Sequence, residues 1–315
     1  MSAEKIVIIA LQAVLFASVF ALGFKATIAD VLYLWSRPAM LARSFVAMYV
    51  LMPVLTVLVV ALPLPLGFKI GLTLLAISSA LTTSGTQMLA LGGSRPYVHS
   101  LLVTTSLLAV ITVPLSLAIL TALPLAADAS VPPLRVAKVI AMTFLLPLFL
   151  GAIVGRVAPR LADRVSDPLN TVAGYVLLAC LAGLLLLNFS KVQNVSILEY
   201  GVIGFMTVVA LAVGYWLGGP DPGDRVALSV ATAERHTGVA SLIAALNFAD
   251  RQAMVMVIIY KIVTILVMIP YGMWCKKQMA VRNAGITRRE TPTSPVAPFG
   301  SISSGTEMTR RSSDG

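Results

Sequence analysis

Almost the whole chain before residue 276 is divided into apolar blocks of about twenty residues with scarcely a charge inside them. A block of that length crosses the hydrocarbon core of a bilayer as a helix. Backbone in lipid must satisfy its own hydrogen bonds, so only helices and closed barrels span membranes. Hydrophobic residues make up 58% of the chain and charged residues 11%. A soluble domain carries about a quarter charged residues. Together with a mean hydropathy of +0.93, this excludes an ordinary soluble enzyme, a disordered chain and a fibre. The two cysteines, Cys180 and Cys275, form no disulfide framework and no zinc pattern. A net charge of +10 would suggest nucleic acid, but the basic residues lie mostly in loops and in the tail. The expected partners are membrane lipid and a small solute, with no nucleic acid.

Nine spans are predicted, near 5–24, 39–62, 69–92, 97–121, 135–155, 168–188, 198–218, 225–248 and 252–275. The first is read as a span and not as a signal peptide, because Glu4 stands beside Lys5 and the segment before the apolar run is not strongly basic. With the N-terminus outside, the inside segments hold 15 basic residues: Lys25, Arg37, Arg43, Arg95, Arg156, Arg160, Arg164, Arg225, Lys276, Lys277, Arg282, Arg288, Arg289, Arg310 and Arg311. The outside segments hold six: Lys5, Lys69, Arg135, Lys138, Lys191 and Arg251. That asymmetry predicts the N-terminus outside and the C-terminus inside an integral, multi-pass protein of the cell (inner) membrane. Residues 1–279 form the transmembrane domain, and 280–315 a basic, disordered cytosolic tail with little to bury.

Two spans are interrupted. The third carries Ser78-Ser79-Ala80-Leu81-Thr82-Thr83-Ser84-Gly85-Thr86-Gln87, and the eighth carries Thr232-Ala233-Glu234-Arg235-His236-Thr237-Gly238. Backbone that leaves the helix at mid-membrane needs partners in protein or in a wet cavity. The two spans run in opposite directions. Matching interruptions of that kind point to an inverted-repeat transporter with its site at the midplane. In the third span the small residues also suit close helix packing. In the eighth, three consecutive ionisable residues are costly unless they face a cavity or one another.

At these residues the chain resembles the bile acid:sodium symporter family. The resemblance rests on Leu22-Gly23-Phe24-Lys25-Ala26-Thr27 with Asp30 and Arg37-Pro38, on Leu51-Met52-Pro53, on Gly92-Gly93, on Thr112-Val113-Pro114, and on Arg235-His236-Thr237-Gly238-Val239-Ala240. It implies two inverted repeats whose discontinuous helices, here the third and eighth spans, cross at the centre. The second, third, fourth, seventh, eighth and ninth spans would form a core. The first, fifth and sixth would form a panel beside it, with the substrate crevice between. The resemblance implies transport of a small organic anion by alternating access, not catalysis.

The chain departs from the family at the sodium pattern. The expected Asn falls on Gly85, the hydroxyl positions on Val98 and Leu102, the carboxylate on Ala231 and the glutamines on Arg235 and Met48. Sodium needs oxygen ligands, and here it could find them only near Ser84 and Glu234. No cofactor is expected, and the coupling ion is sodium or a proton, unless the protein is a uniporter. Lys261 lies deep in the ninth span, at least about 13 Å from either end at roughly 1.5 Å per residue. It is read as a fixed ammonium in sodium's electrostatic role, within reach of Glu234. Glu234, His236 and Lys261 form the candidate coupling network. Ser84, Gly85, Gln87, Arg235, His236 and Thr237 are the candidate substrate-binding residues. The Arg235 fork matches a carboxylate or sulfate, and it suits a clamp on the carbonyls of the third span equally well. His236 is either the proton carrier or a neutral bridge between the two crossing segments.

Two other readings stand beside the transporter. One is a sodium-coupled symporter with a rearranged ion site. The other is an intramembrane enzyme in which Ser84 and Lys261 act as a serine–lysine dyad. No His-Glu-x-x-His, paired intramembrane aspartates or ATP-binding motif occurs in the sequence.

Overall fold

The computed structural model of the chain describes residues 3–78, 84–121, 141–247 and 251–290. Among them every regular element is a helix. In chain order these are α1 (Ala3–Lys25), α2 (Ile28–Trp35), α3 (Pro38–Phe45), α4 (Met52–Val60), α5 (Leu66–Ile77), α6 (Ser84–Ala90), α7 (Arg95–Thr121), α8 (Leu146–Val157), α9 (Pro159–Leu187), α10 (Ile197–Leu217), α11 (Pro222–Ala233), α12 (Thr237–Asn247) and α13 (Gln252–Glu290). A single helical turn, Phe189–Val192, follows α9.

Among the described residues, five stretches are long and apolar enough to cross a membrane: Ile6–Lys25, Pro38–Val60, Pro159–Leu187, Ile197–Leu217 and Gln252–Val281. Two shorter apolar helices run over Leu66–Ile77 and Ala141–Val157. The protein is therefore an all-helical, multi-pass membrane protein. By its internal contacts the chain divides into Met1–Lys277 and Gln278–Gly315. The second unit is helical through Glu290, so the segment expected to be a disordered tail starts as helix. Residues 291–315 lie outside the described residues, as do Thr82, Thr83, Arg135 and Lys138.

Local signals explain the helix ends. A capping box, Thr27 with Asp30, starts α2, which lies between the first two predicted spans. Ser196 and Glu199 form the same device at α10. Asp221 caps α11 by accepting from the Gly223 and Asp224 N–H groups at 2.7 and 3.2 Å. At the end of α6, Gly92 takes a positive φ of 92° and the Gly93 N–H reaches the Met88 carbonyl at 2.8 Å. That is a Schellman stop, and glycine accepts its left-handed conformation without a Cβ penalty. The sixth span begins earlier than expected. Helix α9 starts at Pro159 and runs through Pro168, so Asp163, Arg164 and Asp167, expected in a loop, lie on the helix.

Between α3 and α4 the helix widens into a π segment, Val46–Leu51, and a second π segment, Ala141–Leu145, leads into α8. Each ends just before a proline, Pro53 and Pro147. In the i→i+5 pattern of a π segment the carbonyl of residue 48 would be served by residue 53, and proline has no N–H. Pro53 therefore offers the Met48 carbonyl no N–H.

Helix α1 packs along both α8 and α9. Its contact with α8 depends on glycines: a Cβ on Gly151 would stand 2.3 Å from the Phe20 carbonyl oxygen, and one on Gly155 2.4 Å from that of Phe24. Gly23 faces them from α1. This is close backbone packing by small residues at helical spacing. In the rest of the unit, α10 lies on α11, and α7 meets α2, α5 and α6. The two interrupted segments lie against each other, α5 beside α12 and α6 beside α11. Helix α13 closes on α5, where Gly71 meets the Ala253 carbonyl and Met256.

Candidate functional site

The eighth span is broken in the middle. Helix α11 ends at Ala233, and Glu234 takes φ −81° and ψ 87°. The Arg235 N–H then bonds back to the Ala233 carbonyl at 3.1 Å, and the Thr237 N–H to the Arg235 carbonyl at 2.8 Å. These are two successive γ-turns, after which α12 begins. The third span breaks as well. Helix α5 ends at Ile77, Ser78 is extended at φ −69° and ψ 143°, and α6 starts at Ser84. Residues 79–83, between them, lie outside the described residues.

Helix α13 braces the break in the eighth span with two consecutive side chains. The Tyr260 hydroxyl donates to the Ala233 carbonyl at 2.8 Å. The Lys261 ammonium donates to Glu234 Oε2 in a buried ion pair. Glu234 is 2% exposed and Lys261 8%. A charge removed from water at this depth needs a partner, and each supplies the other's.

Arg235 turns the opposite way. It is 1% exposed, with Nη2 donating to the Met48 carbonyl at 2.7 Å and Nη1 to the Ser78 carbonyl at 3.2 Å. Both acceptors lie where a helix departs from the regular α pattern: Met48 in the π segment before Pro53, Ser78 at the end of α5. The carbonyl end of a helix is also its negative pole, which suits a guanidinium. Of the two roles read for Arg235, the geometry matches the clamp. His236 is fully buried, with its ring edge-on to Phe144 at 5.3 Å. Both its ring nitrogens, and the Thr237 hydroxyl, are buried with no hydrogen-bond partner among the described residues. Gly238 packs on Leu15 of α1 and Leu177 of α9.

Two cavities lie between these segments and the α1–α9 pair. The larger, of about 410 Å³, is lined by Ser84 and Gln87 from α6, Asn170, Thr171 and Leu177 from α9, and Glu234, Lys261, Ile265 and Met268. The smaller, of about 190 Å³, is lined by Lys25, Gly85, Arg95, His99, Leu102 and Asp167 among others. Thr86 and Asn170 line both, so the two are neighbouring parts of one crevice. Lys25 pairs with the exposed Asp167 at 2.6 Å on its wall.

The expected site residues therefore separate. Ser84, Gln87, Glu234 and Lys261 line the larger cavity and Gly85 the smaller one. Arg235, His236 and Thr237 line neither. Asn170 and Thr171 were not anticipated. Their signal was present, as an uncharged polar pair at the start of the apolar run Val172–Leu187. Arg95, one helical turn from His99, was counted only for topology. Ser84 and Glu234, the expected sodium neighbours, share the larger cavity, but the Glu234 carboxylate carries the Lys261 ammonium. Among the described residues no three His, Cys, Asp or Glu side chains cluster as metal ligands.

A search of curated proteins gives no match. A model of the sodium bile acid symporter family matches residues 12–198, which takes in α2 to α9 whole and ends before the second break. With more than half of its length matched, the chain belongs to the sodium bile acid symporter family.

Proposed function

We propose that the protein is a secondary active transporter that moves a small organic anion across the cell membrane by alternating access. In this reading α1, α8 and α9 are the panel, and the remaining long helices are the core built from two inverted repeats. The anion lies in the crevice between them, with the larger cavity as its binding site. The polar floor of Ser84, Gln87, Asn170 and Thr171 orients it, and Leu177, Leu178, Ile265, Met268 and Ile269 receive its apolar body. Lys261 supplies the charge. The crevice reaches the face of Lys25, Arg95 and Asp167, while Gly238 packs on Leu15 and Leu177 at the second break. With the N-terminus outside, that is a conformation open to the cytosol.

The observation that carries the reading is the Lys261 ammonium seated on Glu234 at the break, facing the cavity. It fills with a tethered cation the place where a relative would need sodium. Transport should therefore proceed without sodium. The test is uptake of an organic anion, such as an arylsulfonate, into proteoliposomes of the full chain at constant pH. Equal rates in sodium and in N-methylglucamine are expected. Uptake that rises steeply with sodium would overturn the reading in favour of a symporter with a rearranged ion site.

A further inference from the structure

We infer that Glu234 is the coupling proton site, and that a proton on its carboxyl releases the Lys261 ammonium to hold the transported anion. The inference rests on the anion-transport reading above and adds to it a proton and a residue. In the resting cavity the Lys261 ammonium is committed to the Glu234 carboxylate. An anion that approaches Lys261 meets a cation already neutralised and a like charge beside it. Both charges are largely removed from water, where such repulsion is weakly screened.

Protonation of Glu234 removes the competing charge. The pair Glu⁻/Lys⁺ becomes a neutral carboxyl beside Lys⁺ with the bound anion. The proton comes from water in the cavity and resides on a Glu234 oxygen. The ammonium keeps its charge, and the pocket is neutral before and after. One proton and one monoanion then move together with no net charge.

The surroundings favour Glu234 over the other titratable groups. On the same segment, Arg235 is turned away onto the Met48 and Ser78 carbonyls. His236 is fully buried against Phe144 and lines neither cavity, so it has no wet route through them. From α13, Tyr260 is engaged with the Ala233 carbonyl. Tyr175 of α9 lines the cavity, and Tyr49 of the π segment lies on the Arg235 side. From α6 the facing groups are Ser84 and Gln87, which do not titrate. Among the described groups at the break, Glu234 combines a face on the cavity with a cation that it must release.

The test uses naphthalene-2-sulfonate, an acid too strong to titrate near neutrality. Its binding to the full chain in sodium-free nanodiscs is measured by calorimetry between about pH 5 and pH 8. Two buffers of different ionisation enthalpy count the protons taken up. Linkage of one proton to one anion requires affinity to rise on acidification, by up to about tenfold per pH unit. Proton uptake should approach one per sulfonate at the alkaline end. Glu234→Gln keeps the shape and a hydrogen bond to Lys261. It should bind with no pH dependence and no proton uptake, at least as tightly as the wild type in acid. Wild-type binding that is flat with pH, or Glu234→Gln binding that keeps the wild-type slope, overturns the inference and leaves anion binding standing. A slope that disappears in His236→Gln and persists in Glu234→Gln moves the proton to the histidine and also overturns it. Absence of binding in both wild type and Glu234→Gln at every pH overturns the anion-transport reading itself.

Discussion

Replacement of Arg235 by methionine separates a clamp from a substrate grip. The guanidinium makes two charge-assisted hydrogen bonds, to Met48 and Ser78, each worth about 1.5–3 kcal/mol. Methionine occupies similar length but donates nothing. The Met48 carbonyl then loses this donor, which Pro53 cannot replace, and the Ser78 carbonyl is left at the open end of α5. Removal of a buried cation recovers part of that loss, since its desolvation no longer opposes folding. The net destabilisation should be about 2–4 kcal/mol. At about 2–4 °C per kcal/mol for a chain of this size, the unfolding midpoint should fall by roughly 5–15 °C. Intrinsic tryptophan fluorescence during a thermal ramp in detergent measures it. Binding of naphthalene-2-sulfonate, measured well below the midpoint, should change less than about threefold, a difference under 1 kcal/mol. An unchanged midpoint with binding abolished would refute the argument, because the guanidinium would then face the anion and not the carbonyls.

The ion pair and the glycine contact give two more tests. Lys261→Met alone leaves the Glu234 carboxylate buried without its cation, and should cost about 3–5 kcal/mol. Lys261→Met with Glu234→Gln removes both charges and should recover most of that stability without restoring sulfonate binding. Thermal midpoints of the two variants check this, and equal midpoints would show that the pair is not coupled. Gly151→Ala places a Cβ 2.3 Å from the Phe20 carbonyl oxygen. Backbone must shift to admit it, which should separate α1 from α8 and cost about 1–3 kcal/mol. Gly183→Ala, whose Cβ would meet only Val7 at 3.9 Å, is the silent control for the same melting measurement.

Much of the architecture is legible in the sequence, because a bilayer imposes simple rules. Long apolar runs must be helices, so the all-helical, multi-pass class follows from hydropathy alone. The polar residues of 78–87 and 232–238 mark where α5 and α11 end, since polar backbone and side chains at that depth need partners. The Gly151-x-x-x-Gly155 spacing was also present to be read, and it is the face that holds α8 to α1. The roles of individual polar residues were harder to assign. Arg95, His99 and Asn170 come together only because α7 and α9 are placed across one crevice.

The chain by itself determined that helices would cross a membrane and where two of them would come apart, because both are decided by local composition against the cost of burying polar groups in lipid. Only the tertiary structure decided which way each residue at the break would point. Within a helix the 3.6-residue period assigns faces. The γ-turns at Glu234–His236 have no such period, so adjacent side chains diverge. Glu234 turns to Lys261 and the cavity, Arg235 to carbonyls 157 and 187 residues away in the chain, and His236 to Phe144. Those partners belong to other helices, and only the packing of the helices brings them within reach.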